Sequence, residues 1–90
     1  FLRDLRILRT WAGICDISAD YSPIMSETDV PGFLVTTGWG TWGFKAIPAG
    51  GEGMAELIAT GRRNDYIAPF TLDRFRLDHV LADQGSAGTR

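Results

Sequence analysis

A glycine-rich run after a strand-like segment most constrains the fold of this chain. Residues 33–37 (FLVTT) are apolar and partly β-branched, which predicts a buried strand. The next run, 38–43 (GWGTWG), formally matches G-x-G-x-x-G, the turn that holds dinucleotide phosphates. Residues 48–61 predict a helix with Pro48 in its first turn and Gly61 as its C-terminal cap. Strands followed by a glycine loop and a helix indicate an α+β fold.

The spacing beyond this run argues against a dinucleotide site. That site needs a second strand after the helix, ending in an acidic residue about 20 residues on. Residues 58–66 (IATGRRNDY) instead predict a helix end and a charged loop, and Glu52 and Glu56 fall inside the helix. The helix N-terminus and Lys45, the only lysine, still favour an anionic or electron-rich ligand. The alternative is a plain tight turn with Lys45 in solvent.

The remaining segments predict further elements. Residues 5–17 (LRILRTWAGICDI) predict one or two strands, whereas residues 24–25 form only a short apolar stub. We expect Thr71 to cap a helical turn over residues 72–75. Residues 76–83 (RLDHVLAD) predict a second helical stretch.

Composition limits the classes of protein and partner. A chain of 90 residues, 44% hydrophobic and 22% charged, indicates one globular domain at most. A net charge of −2 gives no electrostatic reason to expect nucleic acid or a membrane surface as a partner. No apolar run reaches the roughly 20 residues of a membrane span. One cysteine excludes an internal disulfide and fits a reducing compartment, so we expect a cytoplasmic protein.

The ends of the chain predict a piece of a larger protein. The sequence opens on Phe1 without an initiator methionine and enters an apolar stretch at once. We therefore expect residues 1–84 to be one segment of a larger fold. Residues 85–90 are polar and rich in glycine and serine, which predicts a flexible tail.

Three segments, in the same order, resemble one family of flavoenzymes. They are residues 9–24 (RTWAGICDISADYSPI), 30–51 (VPGFLVTTGWGTWGFKAIPAGG) and 67–75 (IAPFTLDRF). Together they are similar to the C-terminal part of the beta subunit of heterotetrameric sarcosine oxidase. That family belongs to the flavin-dependent amine oxidases related to D-amino-acid oxidase. The resemblance spans about Leu5 to Phe75, and its most specific element is the run from Gly38 to Lys45.

The resemblance implies a site that binds FAD. The implied cofactor-binding residues are Gly40, Thr41, Gly43, Phe44 and Lys45. Lys45 is also the implied catalytic residue, because the family lysine pairs with the substrate carboxylate. That pairing holds the N-methyl carbon of a small amino acid against the flavin. Preorganised N–H groups of the helix end would stabilise the charge that hydride transfer places on the ring.

The resemblance also implies a reaction and partners. The reaction is oxidative demethylation of sarcosine to glycine, which yields a one-carbon fragment and hydrogen peroxide. The implied partners are the remainder of the same subunit and an alpha-type subunit. FMN would lie near the contact between the two subunits. Lys45 is therefore a candidate to bind FMN as well as the substrate. Because most of the flavin-binding fold is missing, we expect the isolated chain to be inactive.

Departures from the family pattern leave the substrate open. Trp42 stands where a glycine is expected, so its indole must turn away from the flavin or crowd it. Ala19 and Tyr21 replace a proline and an arginine, and Met25-Ser26 replaces an Ile-Gly pair. Oxidation of proline or of opines is therefore an alternative, as is a stand-alone module for anion binding or protein interaction.

Other polar residues have simpler interpretations. We expect Cys15 to be an inert buried thiol and His79 to have a surface or packing role, with no metal site. Asp16 and Asp20 are expected to cap turns in solvent rather than form a carboxylate pair. Arg62–Arg63 predict a solvated helix exit.

Overall fold

A two-stranded hairpin and one long helix form the centre of the molecule. The structure is a computed structural model that describes residues 3–79 and residue 81. Strand β1 (Ile24–Glu27) pairs antiparallel with β2 (Leu34–Thr37). Helix α1 (Gly43–Thr60) follows, and a short helix α2 (Asp73–Arg76) comes later. The predicted α+β fold is confirmed at this level.

Strand β1 was only partly predicted. The apolar stub Ile24-Met25 extends through Ser26 and Glu27, which pair with Val35 and Leu34 of β2. Because Ser26 and Glu27 are both polar, residues 24–27 do not alternate between apolar and polar side chains. The sequence therefore shows no sign that the strand continues past Met25. The turn between the two strands supports their pairing, because the Thr28 N–H donates to the Phe33 carbonyl at 3.0 Å.

Helix α1 begins five residues before the predicted start. Its first backbone bonds run from the Lys45 and Ala46 N–H groups to the Trp42 carbonyl, at 3.0 and 3.3 Å. Pro48 consequently lies inside the helix, and the prediction that it occupies the first turn is wrong. Since proline has no N–H, the helix lacks one backbone bond there.

The C-terminal end of α1 is confirmed. Gly61 adopts a left-handed conformation, with φ of 69°, and its N–H donates to the Leu57 carbonyl at 2.8 Å. Only glycine takes this conformation without a Cβ clash, so it is a common way for helices to end.

A small core joins the hairpin to α1. Its buried side chains are Met25 of β1, Leu57 of α1 and Ile67 from the loop after the helix. Leu34, Trp39, Met54 and Phe70 pack around them. The core therefore ties the loop after α1 to the same face of the hairpin as the helix.

The N-terminal segment does not form the predicted strands. Within the described residues, the segment 5–17 has one isolated bridge, between Ile17 and Trp39. A strand needs a neighbour for its backbone groups, and no described part of this chain forms a strand ladder with residues 5–16. The segment exposes large apolar side chains, namely Leu5, Ile7, Leu8, Trp11 and Ile14.

The C-terminal part also differs from the sequence predictions. A short helix is present, but its N-cap is Leu72, with no side-chain cap, so the capping role predicted for Thr71 is wrong. Asp78 has a φ of 55°, and residues 77–79 are not helical. Residues 80 and 82–83 of the second predicted helix lie outside the described residues, as does the predicted tail at 85–90.

Candidate functional site

The glycine loop, residues 38–42, connects β2 to α1 in a backbone path that needs glycine. Gly38 and Gly40 have φ values of 71° and 55°, in the left-handed region. At Gly38 space is also short, because a Cβ would lie 3.3 Å from the Cβ of Ser18. The two glycines therefore turn the chain sharply and bring it to the N-terminus of α1.

Asp16 holds the start of this loop from a distant part of the chain. Its Oδ2 accepts hydrogen bonds from the Thr37 hydroxyl at 2.8 Å and from the Gly38 N–H at 2.6 Å. Its backbone carbonyl accepts from the Gly40 N–H at 2.9 Å. The hydrogen bonds from Thr37 and Gly38 lower the pKa of the Asp16 carboxyl. Asp16 is exposed, as expected, but it fixes the glycine loop rather than capping its own turn.

The predicted site residues meet at one end of α1. Gly40 and Thr41 end the glycine loop, and Gly43, Phe44 and Lys45 form the first turn of the helix. Among the described residues, the N–H groups of Gly43 and Phe44 have no acceptor, and Trp42 supplies no side-chain cap. These donors and the helix dipole concentrate partial positive charge at this end.

The side chains at this end are largely open to solvent. Phe44 is 89% exposed, and Lys45 is exposed as well. Within the described part of the chain, Lys45 takes part in no ion pair. A full positive charge, a flat aromatic face and two unpaired N–H groups are therefore available to a ligand.

The two tryptophans of the loop have different surroundings. The indole of Trp39 packs against α1 and donates to the Thr36 hydroxyl at 3.1 Å, so it belongs to the fold rather than to an open ligand edge. Trp42 is 43% exposed and faces a cavity of about 690 Å³ beside the loop. The aromatic residues that line this cavity are Tyr21, Trp39, Trp42, Tyr66 and Phe70.

Asp20 is not a solvent-exposed turn cap, because it forms a buried ion pair with Arg74. Its two carboxylate oxygens accept from Nε and Nη2 of Arg74 at 2.7 and 2.9 Å, and both side chains are 2% exposed. Burial raises the pKa of the Asp20 carboxyl, but hydrogen bonds from Arg74, Leu81, Ser18 and Ser22 outweigh it. The pKa lies well below its usual range, so Asp20 stays ionised.

Arg63 is likewise more buried than predicted. Its guanidinium donates to the carbonyls of Met25 and Ile67 and forms an ion pair with Glu27. It thereby ties the loop after α1 to strand β1, whereas Arg62 is exposed as expected. Sequence spacing could not show this role, since two of the acceptors, the Met25 carbonyl and the Glu27 carboxylate, lie 38 and 36 residues away.

The remaining candidates stay outside the site. Cys15 is exposed, so the prediction of a buried thiol is wrong, because the segment that carries it has no packing partner in the described chain. His79 is exposed, in agreement with a surface role. In the described part of the chain no strand follows α1, which removes the dinucleotide interpretation of the glycine run.

The geometry fits the electron-rich edge of a flavin. A Cβ at Gly43 would lie 3.0 Å from the Cβ of Trp39, so Trp39 fills the space beside that glycine, and the open side of this helix end carries Phe44 and Lys45. The free N–H groups at the start of α1 suit a carbonyl or a developing negative charge. The chemistry of the donors therefore agrees with FAD, which the sequence resemblance implies.

Comparison with known proteins gives the class of this chain. Residues 1–57 match the family model described as FAD dependent oxidoreductase (DAO), and this match covers more than half of the chain. The chain belongs to the FAD-dependent oxidoreductase family.

No helix in the described residues is both long enough and apolar enough to cross a membrane.

Three similar curated proteins share one description, sarcosine oxidase subunit beta. The chain is similar to sarcosine oxidase subunit beta of Rhodobacter capsulatus, with 48% identity over 84 residues, which is 93% of this chain. The corresponding subunits of Arthrobacter sp. and Rhizobium meliloti are 42% and 40% identical over 90% and 93% of the chain. In each case the chain spans about a fifth (20%) of the length of the relative it matches.

Proposed function

We propose that this chain is the C-terminal part of a flavin-dependent amine oxidase subunit of the sarcosine oxidase beta type. The observation that supports this most strongly is the glycine loop at the start of α1, with Gly40, Gly43 and Lys45 together at one open end. The similarity to three sarcosine oxidase beta subunits includes this region. In this proposal the rest of the subunit supplies the other contacts to the cofactor.

The backbone of the loop and helix would bind the cofactor edge. Thr41 and Gly43 offer backbone donors, Gly40 forms the turn that presents them, and Phe44 offers an exposed aromatic face. When bound, FAD accepts a hydride from the amine substrate. The N–H groups of Gly43 and Phe44 would stabilise the resulting negative charge without reorganising, because the helix holds them in place beforehand.

Lys45 would position the substrate. Its ammonium group is exposed in the first turn of α1, next to the proposed cofactor edge. An ion pair with the carboxylate of sarcosine would fix the N-methyl carbon at one distance and angle from the cofactor. Orientation of this kind contributes several kcal/mol to barrier reduction in enzymes generally. The proposed products are glycine, a one-carbon fragment and hydrogen peroxide.

The wider assembly is part of the same proposal. A beta-type subunit implies further subunits, and we propose an alpha-type subunit with FMN at the contact between the two. We also propose a cytoplasmic location. The 90 residues alone are proposed to be inactive, since residues 5–17 have no neighbouring strand among the described residues and expose their apolar side chains.

The proposal is tested with the full-length protein that contains this chain. The purified protein should carry FAD and oxidise sarcosine, whereas dimethylamine, which is sarcosine without its carboxylate, should react far more slowly. Rates with sarcosine, proline and dimethylamine are compared by oxygen uptake. A protein without FAD, or one that oxidises dimethylamine as fast as sarcosine, would contradict the proposal. Faster oxidation of proline would favour the proline alternative.

A further inference from the structure

We propose that Asp16 is a positioning residue for the cofactor site: it fixes the glycine loop and thereby the direction in which the α1 N-terminus points. This inference rests on the proposed function, because the loop is taken to face FAD. Asp16 itself would touch neither the cofactor nor the substrate. It acts through Gly38 and Gly40, which it binds directly.

The contacts of Asp16 hold both ends of the turn. Oδ2 accepts from the last residue of β2, Thr37, and from the first residue of the loop, Gly38. The carbonyl of Asp16 then accepts from Gly40, two residues further on. Next to these bonds, Ile17 and Trp39 form an isolated antiparallel bridge. Asp16 and Ile17 together therefore hold four successive residues of the connection, 37–40.

This clamp acts on the loop residues that have no side chain of their own, whereas Trp39 is held by its packing on α1. Glycine visits left-handed and right-handed conformations with similar ease, so Gly38 and Gly40 alone leave the loop many paths. Their observed φ values of 71° and 55° are selected when both N–H groups point at Asp16. Gly38 is buried, so its N–H would lack a partner if the carboxylate were removed.

The direction of α1 follows from the loop. Only Thr41 and Trp42 separate Gly40 from the first helical residue, Gly43. A change of path at Gly38 or Gly40 would therefore tilt the N–H groups of the first turn, together with Lys45. Hydrogen bonds from Thr37 and Gly38 lower the pKa of the Asp16 carboxyl, so the acceptor stays ionised at neutral pH.

The test compares four variants of the full-length protein. Asp16→Ala removes the acceptor, and Asp16→Asn keeps an amide oxygen in the same place. Thr37→Val removes one of the two side-chain bonds without changing the shape of the side chain. Asp29→Ala is the matched control, because Asp29 is an exposed carboxylate that pairs with Arg76 and does not contact the loop.

Two measurements separate positioning from stability. The dissociation constant of FAD is measured by fluorescence quenching on FAD-depleted protein, well below the unfolding temperature. Amide exchange of the peptide covering residues 38–45 reports the order of the loop. We expect FAD binding to weaken about tenfold in Asp16→Ala and about threefold in Thr37→Val, as hydrogen bonds to a charged group are lost. Asp16→Asn and Asp29→Ala should stay close to the unsubstituted protein.

The outcomes distinguish this inference from the proposed function. If the unsubstituted protein binds no FAD, the proposed function fails. If it binds FAD, and folded Asp16→Ala binds it equally well, the positioning role of Asp16 is wrong. Should Asp16→Ala fail to fold, Thr37→Val decides: unchanged FAD affinity and unchanged exchange at residues 38–45 would overturn the inference.

Discussion

Single residues far apart in sequence hold this small structure together through buried charge. Arg74 is the clearest case, because it pairs with Asp20 and also donates to the carbonyls of Thr71 and Ser22. Its guanidinium lies 4.2 Å from the centroid of the Phe75 ring. Every nitrogen of the group therefore has a hydrogen-bond acceptor, although the side chain is almost completely buried.

Replacing Arg74 should loosen the segments that it joins. In Arg74→Ala of the full-length protein, Asp20 keeps a buried charge without its main partner, which typically costs about 3–5 kcal/mol. We expect that much loss in the free energy of local opening, measured by amide exchange of residues 18–22 and 71–77. Arg76→Ala is the matched control from the same short helix, because Arg76 pairs only with exposed carboxylates. Equal exchange in the two variants would refute the structural role of Arg74.

For single residues, the sequence identified the candidate polar side chains but not the partners that they contact in the structure. Asp16 and Asp20 were predicted as two similar turn caps, yet one fixes the glycine loop and the other is buried against Arg74. Both partnerships cross more than 20 residues of chain. Pairings at that range depend on tertiary structure, and local turn chemistry carries no signal of them.

Among the elements, α1 determines where the proposed site lies and how it is supported. Its buried positions are Gly50, Gly53 and Leu57, which lie on one face toward the core. Small residues on a helix face often allow another backbone or a ligand to approach closely. The structure shows side chains instead: Trp39 covers Gly50 and Ile67 covers Gly53. The glycines allow an indole and a branched side chain to lie directly on the helix.

This packing gives a prediction with an internal control. A Cβ at Gly53 would overlap Cγ2 of Ile67, which is fully buried, so Gly53→Ala should overpack the core. We expect a loss of about 1–3 kcal/mol in the free energy of opening of α1, measured by amide exchange in the full-length protein. Gly51→Ala has open space and should stabilise the helix by up to about 1 kcal/mol. The same effect from both substitutions would contradict the packing described.

The elements were predictable where local chemistry determines them. The strand in FLVTT and the Gly61 cap were recognised because β-branched residues and a helix-ending glycine act within a few residues. The predicted burial of that strand is wrong: no residue of β2 is buried and Phe33 is 60% exposed, because the sheet in the described residues has only two strands. The start of α1 was missed because Pro48 is usually a first-turn residue, whereas here the helix begins at Gly43 and continues through it. The predicted strands in residues 5–17 depend on neighbours that the described chain does not contain.

Across the whole molecule, the small core contrasts with a long unpaired N-terminal segment. Three buried apolar residues form the centre of the core, while the side chains of Leu8, Trp11 and Ile14 are almost fully exposed. Such apolar surface favours a partner, because burying it is worth roughly 25 cal/mol per Å². Under the proposed function, the remainder of the subunit covers it.

The sequence predicted which residues of the candidate site lie next to one another, but not which distant residue supports them. Gly40, Thr41, Gly43, Phe44 and Lys45 are adjacent in the chain, so their meeting at the start of α1 follows from the strand–loop–helix order. Their proposed roles come from the family resemblance. The support from Asp16 was not predictable, because it reaches the loop from 22 residues away.

The most direct test of the account is the rate at which sarcosine reduces bound FAD in the full-length protein, with Lys45 and with Lys45→Met. Methionine keeps the length of the side chain and removes its charge, so FAD should still bind, as its absorbance would show. We predict reduction roughly 100-fold slower at low sarcosine concentration, with partial recovery in Lys45→Arg. Reduction of the FAD-loaded Lys45→Met protein at the unsubstituted rate would contradict the claim that this chain supplies the substrate-positioning residue.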